Sequence, residues 1–105
     1  MKEFSIVAGT LMSDKTVSEL RQFLADTGLT PSDGRSDYIR VAECFSFEFR
    51  RGFDHEYQIV GDADTLDRLL EDVTMVSTRL AENQMEHSFE VYDDQGEVAG
   101  KFECP

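Results

Sequence analysis

The sequence predicts an α+β fold, with two helices on one face of a mainly antiparallel sheet. The segment from Asp62 to Asn83 spaces its apolar residues three and four apart, which is typical of an amphipathic helix. A shorter helical pattern begins at Thr16, and most of the remaining segments alternate apolar and polar residues as half-buried strands do. A chain of 105 residues has the length of a single domain, 1–105.

The first strand is predicted from Lys2 to Leu11, and the first helix from Thr16 to Gly28. The strand residues expected to face the core are Phe4, Ile6 and Ala8. Thr16 and Glu19 have the spacing of a capping box, in which each side chain accepts a hydrogen bond from the other residue's amide. Gly28 suits the left-handed conformation that commonly ends a helix, so both helix boundaries follow from local chemistry.

A second strand is predicted from Tyr38 to Arg50, after a polar loop from Thr30 to Asp37. A glutamate interrupts the alternation of its apolar residues. Because burial of a lone carboxylate is costly, we expect a bulge or a strand break near Ala42-Glu43-Cys44. Residues 51–54 are predicted to form a hairpin loop, and His55 to Val60 the returning strand.

The long helix is the most strongly patterned element. Its apolar stripe consists of Leu66, Leu69, Leu70, Val73, Val76 and Leu80. The opposite surface is expected to be mostly acidic, with Asp72 and Met75 facing outward. Asp62, Asp64 and Asp67 are expected in the first turn, where carboxylates cap free amides and meet the positive end of the helix dipole.

Two further strands complete the sheet, at Met85–Tyr92 and Val98–Cys104, around a turn at Asp93–Gly96. The order βαββαββ resembles the ferredoxin-like two-layer sandwich with an added edge strand. The resemblance is one of topology and implies no function.

The sheet face away from the helices is expected to be charged, with Tyr92 as its one aromatic residue. RNA-recognition domains of similar topology place several aromatic residues there to stack bases. We therefore expect a solvated face, a polar docking surface or a dimer interface formed by sheet stacking, and no RNA platform.

The formal net charge of -12 is concentrated in the second half of the chain. Residues 1–53 hold eight acidic and seven basic residues, whereas residues 54–105 hold fourteen acidic and three basic ones. A surface of this kind excludes a basic nucleic-acid reader, which needs clustered Lys and Arg, and it is repelled by an anionic membrane. A basic protein is the complementary partner, although an acidic surface also serves solubility alone.

Few residues suggest catalysis. His55 lies among charged residues that could tune a general base, but no nucleophile is identifiable near it. His87 is expected at the core edge, and Cys44 and Cys104 are too few and too far apart for a disulfide framework or a zinc motif. The pattern Asp62-x-Asp64-x-x-Asp67 lacks the glycine and distal glutamate of a calcium loop. We therefore predict a protein that is not an enzyme and uses no cofactor and no metal.

The leading functional prediction is a small cytoplasmic binding protein, an inhibitor or immunity-type protein that masks a basic toxin, nuclease or nucleic-acid enzyme. No apolar run is long enough for a membrane span, and no signal-peptide pattern is present. The acidic residues of the second half are expected to gather on one exposed patch. The predicted partner-binding residues are Asp67, Glu71, Asp72, Met75, Glu82, Glu86, Glu90, Asp93 and Asp94, with Arg50, Arg51 and Phe53 at the hairpin tip.

Two other functions remain open. The first is a ferredoxin-like dimeric regulatory module that binds a small ligand through the loop at 30–37 and the tip at 50–53. The second is a small enzyme centred on His55.

Overall fold

Eight elements follow one another along the chain. In this computed structural model, residues 4–32, 38–44, 46–52 and 55–104 are described. The elements are β1 (Ser5–Met12), α1 (Val17–Asp26), β2 (Tyr38–Arg40), β3 (Phe47–Arg51), β4 (Glu56–Ala63), α2 (Leu66–Glu82), β5 (His87–Tyr92) and β6 (Val98–Cys104). Parts of the predicted loop and hairpin tip, at 33–37 and 53–54, lie outside the described residues.

The strands form one antiparallel six-stranded sheet in the order β2-β3-β4-β1-β5-β6. The α+β class is confirmed, but the ferredoxin-like order βαββαββ is wrong, because the strand predicted from Tyr38 to Arg50 is two strands. The chain reverses between them, and Ile39 pairs with Phe49. Glu43 stays out of the core at this reversal, where its carboxylate accepts hydrogen bonds from the backbone N and the hydroxyl of Thr30 at 2.8 and 2.7 Å.

The first helix follows its sequence signals. Thr16 Oγ1 accepts from the amide of Glu19 at 3.1 Å, and the Glu19 carboxylate accepts from the amide of Thr16 at 2.9 Å, which completes the predicted capping box. Gly28 has φ +97° just beyond the helix, as expected of a left-handed cap.

The second helix begins later than predicted. Thr65 is its N-cap, and Thr65 Oγ1 accepts from the amide of Arg68 at 3.2 Å. Asp62 belongs to β4 and Asp64 precedes the cap, so Asp67 alone of the three aspartates lies in the first turn. The predicted apolar stripe is confirmed, because Leu69, Val73, Val76 and Leu80 are buried while Leu66 and Leu70 pack against the core.

A single buried cluster joins both helices to one face of the sheet. The sheet contributes Phe47, Phe49, Tyr57, Ile59, Phe89 and Val91. The rings of Phe47 and Phe89 meet edge to face with centroids 5.9 Å apart, which links β3 to β5 across the intervening strands. Below, the sheet face opposite the helices is called the open face.

The predicted facing of β1 is wrong. Val7 and Leu11 are buried, whereas Phe4 and Ile6 are 46% and 47% exposed. The pairing register decides this, because Leu11 lies between Tyr57 and His87, both of which face the helices. Phe4 and Ile6 therefore lie on the open face, which is more apolar than the sequence predicts.

Neither described helix is long and apolar enough to cross a membrane.

Candidate functional site

The carboxylates predicted to form one patch lie in different parts of the molecule. Asp67 and Glu71 are exposed near the start of α2, and Glu82 is exposed at its last residue. Because α2 rises 1.5 Å per residue, its two ends are about 25 Å apart. The remaining predicted carboxylates lie in the connection before β5, on β5 itself and in the β5–β6 turn: Glu86, Glu90, Asp93 and Asp94.

A group of acidic residues lies at the end of the sheet where β1 begins. We call it the acidic end, and it consists of Asp62, Asp64, Asp67, Asp93, Asp94 and Glu97. The register explains why they meet there: Ile6 pairs with Asp62 on one side and with Tyr92 on the other. Neighbouring strands are about 4.8 Å apart, so the end of β4, the start of α2 and the β5–β6 turn converge within a few strand spacings.

An apolar strip adjoins the acidic end on the open face. It consists of Phe4, Ile6, Tyr92 and Val98. Ile6 lies beside Tyr92, and Tyr92 pairs with Val98, which is 50% exposed because the register shifts at Val91/Tyr92. Phe4, Ile6 and Tyr92 line a shallow groove with Asp93 and Asp94, so apolar and acidic groups border the same surface.

Three of the six carboxylates of the acidic end are not neutralised by a described cation. Among the described residues, no lysine or arginine forms an ion pair with Asp67, Asp94 or Glu97. Asp93 has a structural role in addition, because its Oδ1 accepts from the amides of Gln95 and Glu97 at 2.9 and 3.0 Å. By contrast, Glu90 faces Lys101 across β5 and β6, at 3.9 Å, on the open face.

Two predicted partner-binding residues on α2 do not face outward. Asp72 is 4% exposed, and its Oδ1 accepts from Arg68 Nε at 3.1 Å. Met75 is half-buried and packs against the core. Both expectations were wrong because the buried stripe of α2 is wider than its leucines and valines alone indicate.

The two arginines of the predicted hairpin tip lie within β3. Arg50 is on the open face, and its Nε donates to Glu48 Oε1 at 2.9 Å. Arg51 points to the other side, where its Nη1 donates to the carbonyl of Lys15 at 2.8 Å and to the Tyr57 hydroxyl at 3.1 Å. They therefore do not act as a pair. Phe53, the third residue of the predicted tip, lies outside the described residues.

A second concave surface on the open face has the opposite sign of charge. We call it the arginine cradle, and it is lined by Tyr38, Arg40, Glu48, Arg50, Arg51 and Gln58. Glu48 is buried at its base, where Oε2 accepts from Arg40 Nε at 2.8 Å. Burial raises the pKa of the Glu48 carboxyl, but the hydrogen bonds and charges of Arg50 and Arg40 outweigh it and leave the pKa below its ordinary value of 4.5.

The two histidines have different surroundings. His55 is exposed with φ +67°, and its Nδ1 contacts the carboxylate of Asp14, a partner that the sequence does not predict. His87 is buried as predicted, with Nδ1 2.8 Å from the carbonyl of Met85 and Nε2 2.7 Å from Ser77 Oγ. Since a carbonyl only accepts, Nδ1 carries the proton, and in the neutral ring Nε2 accepts from the Ser77 hydroxyl.

Cys44 is buried in the turn between β2 and β3. Burial, with further contributions from the charges of Asp72 and Glu43, raises the pKa of its thiol to about 12. A thiol of this kind is not a nucleophile at neutral pH. Within the described parts of the chain, no group of three or more His, Cys, Asp or Glu residues is placed to hold a metal ion.

Comparison with protein-family models, with curated proteins and with solved structures gives no match for this chain.

The sequence indicates only part of these two surfaces. It identifies Asp67, Asp93 and Asp94 of the acidic end, and Arg50 and Arg51 of the cradle. It misses the apolar strip, because Phe4 and Ile6 belong to a strand with two competing apolar faces. It also misses Tyr38, Arg40 and Gln58, whose association depends on the pairing of three strands.

Proposed function

We propose that the chain is a cytoplasmic, non-catalytic binding protein of the inhibitor or immunity type, which masks a basic surface of a toxin, nuclease or other nucleic-acid enzyme. The observation that supports this proposal best is the acidic end with its adjoining apolar strip. A basic protein fits both features, because its Lys and Arg side chains meet the carboxylates while its apolar side chains meet Phe4, Ile6 and Tyr92.

The two features contribute different quantities to binding. Exposed carboxylates such as Asp67 and Asp94 attract a cationic surface over several ångströms and mainly raise the association rate. Apolar and aromatic residues that become desolvated at the centre of an interface mainly slow dissociation. Loss of acidic-end charge is therefore expected to reduce the on-rate, and truncation of Tyr92 to raise the off-rate.

The test compares three purified forms of the protein as baits for a lysate of the source cells. The first is the natural chain, and the second is the acidic-end variant Asp67→Asn/Asp94→Asn/Glu97→Gln. The third is the control Asp26→Asn/Glu56→Gln/Glu103→Gln, which removes the same charge elsewhere. Asp26 and Glu103 are exposed, and none of the three belongs to the acidic end or to the apolar strip.

The proposal requires a basic protein that the natural chain and the control retain at low salt, that the acidic-end variant loses, and that elutes at raised salt. The captured protein is then purified, and its nuclease or toxin activity is measured with and without each bait. Inhibition by the natural chain and the control, but not by the acidic-end variant, supports the proposal. Equal capture by all three baits, or capture without inhibition, contradicts it.

A further inference from the structure

The arginine cradle is a local exception in a strongly acidic protein. Arg40 and Arg50 have side chains that are 58% and 56% exposed, and both hold the same carboxylate of Glu48. One carboxylate balances only one of the two guanidinium charges. The cradle is therefore a cationic site on a chain whose formal net charge is -12.

The two guanidinium groups are held in place and still have donors to spare. Glu48 engages Nε and Nη2 of Arg40, and Nε of Arg50. This arrangement fixes both planar groups on neighbouring strands, where Arg40 and Arg50 flank Glu48. Among the described residues, Arg40 Nη1 and both terminal nitrogens of Arg50 make no hydrogen bond, so they are available to an acceptor from outside the chain.

The size of the cradle and the rest of its lining suit an organic ligand. The volume of the cradle, about 490 Å³, lies in the range of small-molecule sites. The Tyr38 ring forms one wall, with its centroid 5.9 Å from Arg40 Cζ, and the Gln58 amide adds a neutral donor and acceptor on β4. Arg51 lines the cradle too, but its guanidinium is engaged by Lys15 and Tyr57 on the other side of the sheet.

We propose that the arginine cradle binds a small organic anion, with a phosphate or carboxylate between Arg40 and Arg50 and a planar group against Tyr38. Guanidinium forks match both anions through paired N–H donors, and Arg stacks readily on planar groups. This site is separate from the acidic end, and it does not depend on the proposed masking of a basic partner.

The test is a titration of the isotopically labelled protein, followed by amide NMR at constant ionic strength. The probes are phenyl phosphate, benzoate and the neutral benzyl alcohol. We expect saturable shifts of the amides of Tyr38, Arg40, Arg50 and Gln58 with at least one of the two anions and none with the alcohol. The relative affinities of phenyl phosphate and benzoate distinguish a phosphate site from a carboxylate site.

Three variants locate the binding energy. Arg50→Gln is expected to weaken anion binding by about tenfold, the effect of losing one charge-assisted pair. Arg50→Lys keeps the charge but removes the fork, and is expected to weaken binding as well. Lys101→Gln removes a cation from the same open face outside the cradle, and is expected to leave binding unchanged.

Three results overturn the proposal. The first is an absence of saturable shifts in the natural chain, and the second is a set of shifts scattered over all cationic residues. The third is an equal loss of affinity in Arg50→Gln and Lys101→Gln, which indicates attraction by net charge alone. The amide shifts are measured on the natural chain, so they can contradict the proposal even if a cradle variant fails to fold.

Discussion

Arg68 Nε lies 3.1 Å from Asp72 Oδ1, one helical turn along α2, and the carboxylate of this pair is buried. Arg68 also donates from Nη2 to the carbonyl of Glu43 at 3.2 Å. The arginine therefore connects the start of α2 to the turn between β2 and β3. Asp72 acts within the fold, whereas Glu71 beside it is exposed to solvent.

Substitution of Asp72 by Asn is expected to destabilise the fold by about 1–3 kcal/mol, because it removes the buried carboxylate that accepts a charge-assisted hydrogen bond from Arg68. Chemical denaturation monitored by circular dichroism measures the change. The control is Glu71→Gln, an exposed neighbour expected to change the free energy of unfolding by less than about 0.5 kcal/mol. Equal stabilities of the two variants would contradict the structural role of Asp72.

The pKa of Glu48 predicts how stability depends on pH. Burial raises this pKa, but the hydrogen bonds and charges of Arg50 and Arg40 lower it more, so the folded value lies below 4.5. Between the folded value and 4.5, the unfolded chain binds more protons than the folded chain. The contribution of Glu48 to the free energy of unfolding is therefore complete above pH 4.5. It is lost as the pH falls through the pKa that Glu48 has in the folded chain.

The measurement is a series of denaturation curves from pH 7 down to pH 3 for the natural chain and for Glu48→Gln. The variant is expected to be less stable at pH 7 and to lose less stability on acidification, so that the two curves converge. Glu97→Gln, which removes an exposed carboxylate from the β5–β6 turn, reports the background. Parallel curves for the natural chain and Glu48→Gln would count against the ionic role of Glu48.

Thiol labelling tests the burial of Cys44. Because burial and nearby acidic charge raise the pKa of its thiol to about 12, labelling at pH 8 is expected to be slower than for an ordinary cysteine by roughly three orders of magnitude. The clean measurement uses Cys104→Ser, which leaves Cys44 as the only thiol, with an aromatic disulfide as reagent. Fast labelling of this variant before denaturant is added would be incompatible with the structure.

Local signals predict the helices well. The capping box at Thr16, the left-handed Gly28 and the stripe of α2 depend on residues within one or two turns of one another. Gly96 belongs to the same class, with φ +81° in the predicted turn. These features need no knowledge of tertiary structure, because the interacting groups are close in sequence.

Features that depend on tertiary neighbours were predicted less well. Asp72 lies three residues after Leu69 and four before Val76, on the edge of the buried stripe, where the apolar pattern alone does not show whether a residue is buried. The strand break expected near Ala42-Glu43-Cys44, as one of two alternatives with a bulge, is confirmed. The reversal of the chain there is not predicted, because its described residues include no glycine or proline. The acidic end combines β4, α2 and the β5–β6 turn, which only the strand order brings together.

The facing of β1 was the most consequential error, because it concealed the apolar strip. Phe4 and Ile6 alternate with Val7 and Leu11 on opposite faces, and both sets are apolar enough to be a core. The choice depends on the neighbouring strands. Gly9 shares the facing of Val7 and Leu11, and it passes so close to β5 that an added Cβ would lie 2.2 Å from Ser88 O and 2.8 Å from Phe89 Cα.

Gly9→Ala is therefore expected to destabilise the fold by about 3 kcal/mol, since both obstructing atoms are backbone and β1 and β5 must separate to admit a methyl group. The matched control is Gly100→Ala on β6, where an added Cβ would come no closer than 3.4 Å to the side chains of Leu70 and Phe102. Thermal and chemical denaturation of both variants measure the difference. If Gly9→Ala were as stable as Gly100→Ala, β1 would not face the core through Val7 and Leu11, and the exposed position of Ile6 beside Tyr92 would have to be abandoned with it.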